Sequence, residues 1–297
     1  MANLISKGWP APAKINRFLH IVGQRADGYH LLQTVFQFLD HSDLLDFSVR
    51  SDGEICLLAD IPGVAPEQNL VLRAAHLLQQ QSETPLGVDI TLHKHLPMGG
   101  GLGGGSSDAA TVLVALNYLW QLDLSEKILA NMGLQLGADV PVFVHGNAAW
   151  AEGVGEKLED IALDESWFCV IVPAVHVSTA AVFSDQELTR NSSPIKIADF
   201  LQGKGINDCE TLVARRYQDV ADAIDWMKAH ADHLESCKVP TRMTGTGACV
   251  FTGMMTEADA HHICEQMPVG WTGFVAKGLN QSPLITRLKQ EDQAFLT

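Results

Sequence analysis

Six glycines fall in the seven positions Gly99, Gly100, Gly101, Leu102, Gly103, Gly104 and Gly105, and Ser106 and Ser107 follow before an apolar, helix-like run. Glycine opens main-chain conformations closed to other residues and lets a ligand approach the amide N–H groups closely. At a helix N-terminus such a loop gathers N–H donors beside the positive end of the dipole, which makes an anion pocket, usually for phosphate. A flexible surface loop or a tight strand-to-helix turn is the alternative, and a turn needs far fewer glycines. Lys94, between His93 and His95, adds positive charge just upstream, although the same cluster reads equally well as a solvated strand end. The set Gly99, Gly101, Gly104 satisfies the dinucleotide pattern G-x-G-x-x-G, with Asp123 at about the expected distance. A glycine run meets many such patterns by chance, and Pro97 and Met98 stand where that fingerprint needs a strand leading straight into the turn. No Gly-Lys-Ser/Thr ends the motif, so it is not a P-loop.

The elements that must hold this loop are partly legible. Ala11 to Val22 and Thr34 to Val49 alternate as strands, with GQRADG as a turn between them. Asn69 to Gln81 has helical spacing and Gly87 to His95 alternates as a strand, so the glycine loop joins a strand to a helix. In that helix Ala109, Val112, Leu113, Leu116 and Trp120 share a face, Ser106 or Ser107 is the expected N-cap, and Asp108 suits the first turn. A further helix is expected from Ser125 to Leu136, ended by Gly137, and then turns around short elements near Pro141. GEKLEDIALDES is an acidic candidate boundary; beyond it FCVIVPA reads as a buried strand and TLVARRYQDVADAIDWMKAH as one long helix. ACVFTGM, EADAHHICEQM and GFVAKG then read as strand, helix and strand. Two α/β domains, 1–165 and 166–297, are the expected organisation.

At 297 residues, with 46% hydrophobic and 19% charged, the composition is that of an ordinary globular protein with length for a large core. A net charge of −15 argues against broad nucleic-acid or anionic-membrane binding, so an anionic ligand would be held locally. The six cysteines form no CxxC pair, which points to reduced thiols in a cytoplasmic setting, not to zinc or disulfides. MANLISKGWPAPAKIN lacks the apolar core of a signal peptide, and the longest strongly apolar run, WFCVIVPAV, is far too short for a membrane span.

PMGGGLGGGSSDAA closely resembles the P-x-G-x-G-L-G-x-S-S motif of the GHMP kinases, which transfer the γ-phosphoryl of ATP to small-molecule alcohols. PAPAKINRFLHIVGQRADGYH, LGADVPVF and RMTGTGACVF are similar to further motifs of the branch acting on 4-diphosphocytidyl-2-C-methyl-D-erythritol, in the right order and across essentially the whole chain. The resemblance implies an α+β, two-domain fold, with a ribosomal-protein-S5-domain-2-like N-terminal domain and a ferredoxin-like α/β C-terminal domain. It implies an ATP-dependent kinase of non-mevalonate isoprenoid biosynthesis, with magnesium accompanying ATP and substrate in the cleft between domains.

Carried over residue by residue, the resemblance makes Asp139 the base and Lys14 the group that keeps it ionised and polarises the substrate hydroxyl. Without the motif, Asp139 would be an N-cap for a helix at Val140 and Pro141, and Lys14 a surface lysine. ATP falls to Pro97, Met98 and the residues from Gly99 to Ser107, with Lys94 and with Asn69 near the adenine, although Asn69 is as readily a plain N-cap. Tyr29 would stack on the cytosine, His30 would bond its edge, and Phe183 would close the other face, or be an ordinary half-buried aromatic. Asn16 and Thr179 match polar positions near the substrate, and the Thr244–Cys249 turn would support the phosphates or be a bare glycine turn. No metal ligand set follows, Ser106 and Ser107 being candidates. Arg17 departs from an apolar family position. Another GHMP kinase, of homoserine or mevalonate type, a nicotinamide-dependent dehydrogenase and a non-catalytic nucleotide-binding module are the competing readings.

Overall fold

The computed structural model describes residues 4–295 apart from 60 and 62. Two long strands, β1 (Ile5–Gln24) and β2 (His30–Arg50), pair antiparallel along their length around a turn at Gly28, whose φ of +90° suits glycine. Both strands are longer than the alternation marks, because nearly every β1 side chain from Ala11 to Ile21 is buried and the two-residue period disappears. Register shifts between Pro12 and Lys14 and between Asn16 and Leu19 bend β1 where Lys14 and Asn16 project.

The other edge of β2 is divided among β5 (Ala149–Gly153), β10 (Thr272–Leu279) and β4 (Gly87–His93). Parallel to β4 runs β3 (Ile55–Leu57), and β6 (Lys157–Asp160), inside the acidic stretch, pairs with β5. Through β10 the same ten-stranded sheet continues into β7 (Trp167–Val172), β9 (Val250–Met254) and β8 (Cys237–Met243).

Helices α1 (Leu70–Ser82), α2 (Gly104–Leu119), α3 (Glu126–Leu136) and α4 (Val140–His145) share a core with β1, β2 and β4, centred on Trp9, Phe38, Phe47, Leu113 and Phe143. Across residues 166–295 a second core, including Leu212, Val213, Met227, Met243 and Ile263, lies under helices that include α5 (Thr179–Ser184), α7 (Glu210–Arg216), α8 (Gln218–Ala231) and α9 (Glu257–Glu265), whereas α6 (Ile197–Leu201) sends Phe200 into a separate cluster with Phe18 and Trp150. The terminal helix α10 (Pro283–Phe295) sends Leu284 into the first core.

Three local expectations change. TLVARRYQDVADAIDWMKAH is two helices, because Tyr217 takes extended angles (φ −130°, ψ 100°) between α7 and α8. Neither Ser106 nor Ser107 caps α2: Gly103, left-handed at φ +75°, turns the chain into the helix, and its carbonyl accepts from Ser107 N at 2.8 Å. Asp108 is therefore the helix's fifth residue, buried and not in a solvated first turn. Arg17 turns away from Lys14; its guanidinium donates to Gln37 Oε1 and lies over the Phe168 ring.

At the end of α4, His145 bonds Glu126 of α3 through Nδ1 (2.8 Å) and Asp160 of β6 through Nε2 (2.5 Å). Burial opposes its charge, but the two carboxylates outweigh burial and raise its pKa above the ordinary histidine value. A raised folded pKa stabilises most below the unfolded value of about 6.5 and loses that gain as pH climbs through the folded value. Because both carboxylates are exposed, the wild type is expected to exceed His145→Gln by at most about 1 kcal/mol near pH 6. The difference should shrink as pH rises past the folded value, which urea unfolding across pH checks.

Candidate active site

Lys14 is 2% exposed, so its ammonium must find partners inside the protein. It donates to Asn16 Oδ1 at 2.6 Å and Gly101 O at 3.0 Å, and lies 3.3 Å from Asp139 Oδ2. The surface-lysine reading ends there. Asp139 does occupy the N-cap position of α4, yet its side chain makes no cap bond and faces Lys14 instead, with about a third of it open to solvent.

The Lys14 main chain is tied in as well, its N–H bonding Leu102 O at 3.0 Å. Asn16 completes the arrangement by donating from Nδ2 to Thr34 Oγ1 and from its main-chain N to Thr244 Oγ1, each at 2.9 Å. A strand, a glycine loop and the Thr244–Cys249 turn thus meet on two neighbouring β1 side chains.

The same meeting explains most of the glycines. A methyl on Gly101 (φ +76°) would fall 2.3 Å from Thr244 O, on Gly100 2.5 Å from Cys249 Sγ, and on Gly103 2.8 Å from Phe143 Cζ. Gly104 and Gly105 are different: their nearest atoms would be 3.5 and 3.7 Å away, which is ordinary contact. Only these two have room for a side chain, and both line the cavity above α2.

That cavity, about 550 Å³, is lined from Lys14, Asn16, Asn69, Lys94, the stretch Pro97–Ser106 and Asp139 on one side and from Thr179, Phe183, Gly245 and Thr246 on the other. Asn69 caps α1, its Oδ1 accepting from Val71 N at 2.9 Å, and lines the cavity too, so both readings of it hold geometrically. Thr179 Oγ1 bonds Thr246 Oγ1 at 2.9 Å. Ser106 faces the cavity, while Ser107 is fully buried with an unpaired hydroxyl.

Lys94 is no solvated strand end. Its ammonium is held by Asp43 and, at 3.0 Å, by Asp108, under the first residue of α2. Burial weakens the charged amine, but the Asp108 and Asp43 carboxylates outweigh it and raise the Lys94 pKa. Burial also pushes Asp108 up, to about 7, against the pull of Lys94 and with the help of Asp43. Asp43, fully buried on β2, accepts from the N–H groups of His95 and Leu96 as well, and so pins the entry to the loop.

Around the expected base pocket, His30 is buried and stacks on Phe183, with ring centroids 4.9 Å apart and planes at 22°. Tyr29 is 61% exposed and makes no such stack. Phe183 thus reaches His30, not an open slot opposite Tyr29.

Two kinds of similarity bear on this site. Residues 69–147 match the family model "GHMP kinases N terminal domain". The 4-diphosphocytidyl-2-C-methyl-D-erythritol kinase of Shewanella denitrificans is 54% identical over 285 residues, covering 96% of this chain and 98% of that protein. The enzyme of the same name from Nitrosococcus oceani is 53% identical over 95% of this chain and 98% of its own.

The chain belongs to the 4-diphosphocytidyl-2-C-methyl-D-erythritol kinase family. A crystal structure of a 4-(cytidine 5'-diphospho)-2C-methyl-D-erythritol kinase superposes with a TM-score of 0.78 at 29% identity, covering 93% of this chain and 99% of that one. The Methanococcus jannaschii mevalonate kinase, TM-score 0.65 at 14% identity over 94% of this chain and 99% of its own, shares the GHMP kinase fold. The dehydrogenase reading of the glycines falls with this.

Among the residues around this site, Thr34 and Asp43 carry no sequence signal in isolation, and the signals at Asp108, Thr244 and Thr246 do not name their partners. Each acts through a partner at least 14 residues away, and Thr244 through one 228 away. The glycine packing supplies a paired test. Gly101→Ala should lose about 2 kcal/mol or more, because it forces both a left-handed residue and a backbone clash. Gly105→Ala should stay within about 1 kcal/mol of wild type in urea unfolding, yet weaken nucleotide binding in a titration by putting a methyl on the cavity wall.

Proposed function

We propose that this chain transfers the γ-phosphoryl of ATP to the 2-hydroxyl of 4-diphosphocytidyl-2-C-methyl-D-erythritol, giving the 2-phosphate and ADP, in the non-mevalonate route to isoprenoid precursors. The observation that carries the mechanism is the buried Lys14 ammonium 3.3 Å from the Asp139 carboxylate, beside the glycine loop. Asp139 accepts the proton of the substrate hydroxyl as oxygen attacks phosphorus. Lys14, in contact with that carboxylate, holds it in place and steadies the charge that develops on the attacking oxygen.

The amides at the start of α2, next to Gly104 and Gly105, face the triphosphate at the positive end of the helix, with Lys94 beneath. Asn69 borders the adenine end, and Asn16, Thr179 and Thr246 border the alcohol. His30 and Phe183 form the wall for the cytosine, and Tyr29 is free to swing onto its exposed face.

Magnesium brought in with ATP would supply positive charge against the phosphate oxygens. Among the described residues no group of three or more His, Cys, Asp and Glu side chains could hold a metal. The residues fit an ion held mainly by phosphate and water, with the Ser106 hydroxyl and the Asp139 carboxylate among the protein oxygens lining the cavity. The site is composed within one chain, and no helix among the described residues is long and apolar enough to cross a membrane.

A homoserine or mevalonate kinase would use the same loop without needing Tyr29, His30 and Phe183. The stacked His30–Phe183 wall favours a flat heterocycle instead. ADP release from ATP and magnesium with the cytidine substrate, run beside homoserine and mevalonate, is expected with the first alone. Asp139→Asn should lower kcat by about 10²-fold to 10⁴-fold with little change in KM for ATP. Full activity in that variant would remove Asp139 as the base, and turnover of another alcohol would remove the pyrimidine pocket.

A further inference from the structure

Arg190 lies outside every motif of the sequence, yet its guanidinium joins the two residues of the pyrimidine wall. Nε donates to His30 Nε2 at 3.0 Å. One terminal nitrogen donates to Phe183 O (2.9 Å) and Asp185 O (2.7 Å), and the other to Leu188 O (3.1 Å). Four bonds in one rigid fork leave the group no freedom to turn away, and they bind the segment carrying Phe183 to a histidine 160 residues earlier.

Arginine stays protonated and has donors only, so the nitrogen it faces must be a lone pair. His30 Nε2 is therefore bare, and the single proton of the neutral ring sits on Nδ1. A doubly protonated His30 would meet Arg190 donor to donor. Burial first, and then the Arg190 charge, hold the His30 pKa below the ordinary histidine value, which agrees with that geometry. Arg190 is the charge that faces the ring. Gln24, opposite on β1, is neutral; Arg25 and Asp27 of the turn pair with each other at 2.7 Å; and Asp185 turns its carboxylate to Arg216. Among the described residues no acceptor is bonded to Nδ1.

We propose that Arg190 is a positioning residue that fixes His30 as its Nδ1–H tautomer, so that the pocket presents a permanent hydrogen-bond donor and selects cytosine over uracil. The inference rests on the cytidine reading above. Both bases carry an acceptor at O2, but only cytosine offers one at N3, which a fixed donor satisfies. Uracil carries a proton on N3 and meets that donor with its own. A histidine free to exchange tautomers would take either base.

The test measures kcat and KM for the cytidine substrate and its uracil analogue in wild type, Arg190→Met and Arg190→Gln, with ¹⁵N spectra of the His30 ring. In wild type the spectrum should show a bare Nε2, and KM for the cytidine substrate should hold as pH falls from about 8 to 6. Arg190→Met should mix the tautomers, raise KM for the cytidine substrate about tenfold with kcat nearly kept, and shrink its preference over uracil. Below about pH 6.5 that KM should come back down, because His30 regains an ordinary pKa and its protonated ring carries Nδ1–H whichever tautomer it left. Arg190→Gln can still donate to Nε2 and should restore part of the preference.

Equal losses for both bases with an unchanged ¹⁵N spectrum would reduce Arg190 to a strut and overturn the proposal. A wild type inert toward the cytidine substrate overturns the parent reading and the base selectivity with it. The ring spectra then decide, without any substrate, whether Arg190 sets the tautomer.

Discussion

A lysine ammonium removed almost wholly from water has to be surrounded by acceptors, and the site grows from that requirement at Lys14. The acceptors come from three places: Asn16 two residues along β1, a carbonyl of the glycine loop, and the carboxylate opening α4. To deliver Gly101 O, the loop's backbone must lie against β1 and against the Thr244 turn at once, which leaves no room for a Cβ. To deliver Asp139, α3 and α4 must pack on α2, which they do through the first core. The cavity is the space left above these commitments.

The electrostatics divide into two clusters with different tasks. At Lys14 one cation meets one carboxylate that is still partly open to solvent, an arrangement suited to accepting a proton from an incoming group. At Lys94 one cation meets two deeply buried carboxylates, and burial first, with the Asp43 charge after it, pushes Asp108 up to about 7 against the pull of Lys94. Asp43 also holds two backbone N–H groups, so this second cluster fixes where the loop begins. The chain's strong negative charge does not prevent anion binding, because helix N–H groups and one held lysine supply the local field.

Glycine density turns out to have two causes with separate addresses. In the first part of the loop it permits protein-to-protein contact with Thr244, Cys249 and Phe143; at Gly104 and Gly105 it leaves the helix entrance open to the cavity. The serines illustrate the same division, with Ser106 on the cavity and Ser107 turned into the core.

By itself the sequence determined the family and the strand–loop–helix unit, because these depend on residue types at short, fixed spacings; the pairing of Lys14 with Asp139 was implied by the family resemblance alone and is seen as a contact only in the fold. The sequence marked α3 to its ends, since Ser125 and Gly137 are local signals. It left Asp139 and Asn69 each with two readings, since a polar residue opening a helix looks the same whether its side chain caps or reaches elsewhere. Only the fold decided: Asp139 makes no cap bond and turns to Lys14, whereas Asn69 accepts from Val71 N and lines the cavity as well. Asp43 and Arg190 were invisible for a related reason. Their partners lie 51 and 160 residues away, and a contact across such a distance leaves no local pattern in composition or period. The break at Tyr217, the capping glycine of α2 and the bends in β1 were likewise decided by packing, which overrides propensity wherever an element is buried on every side.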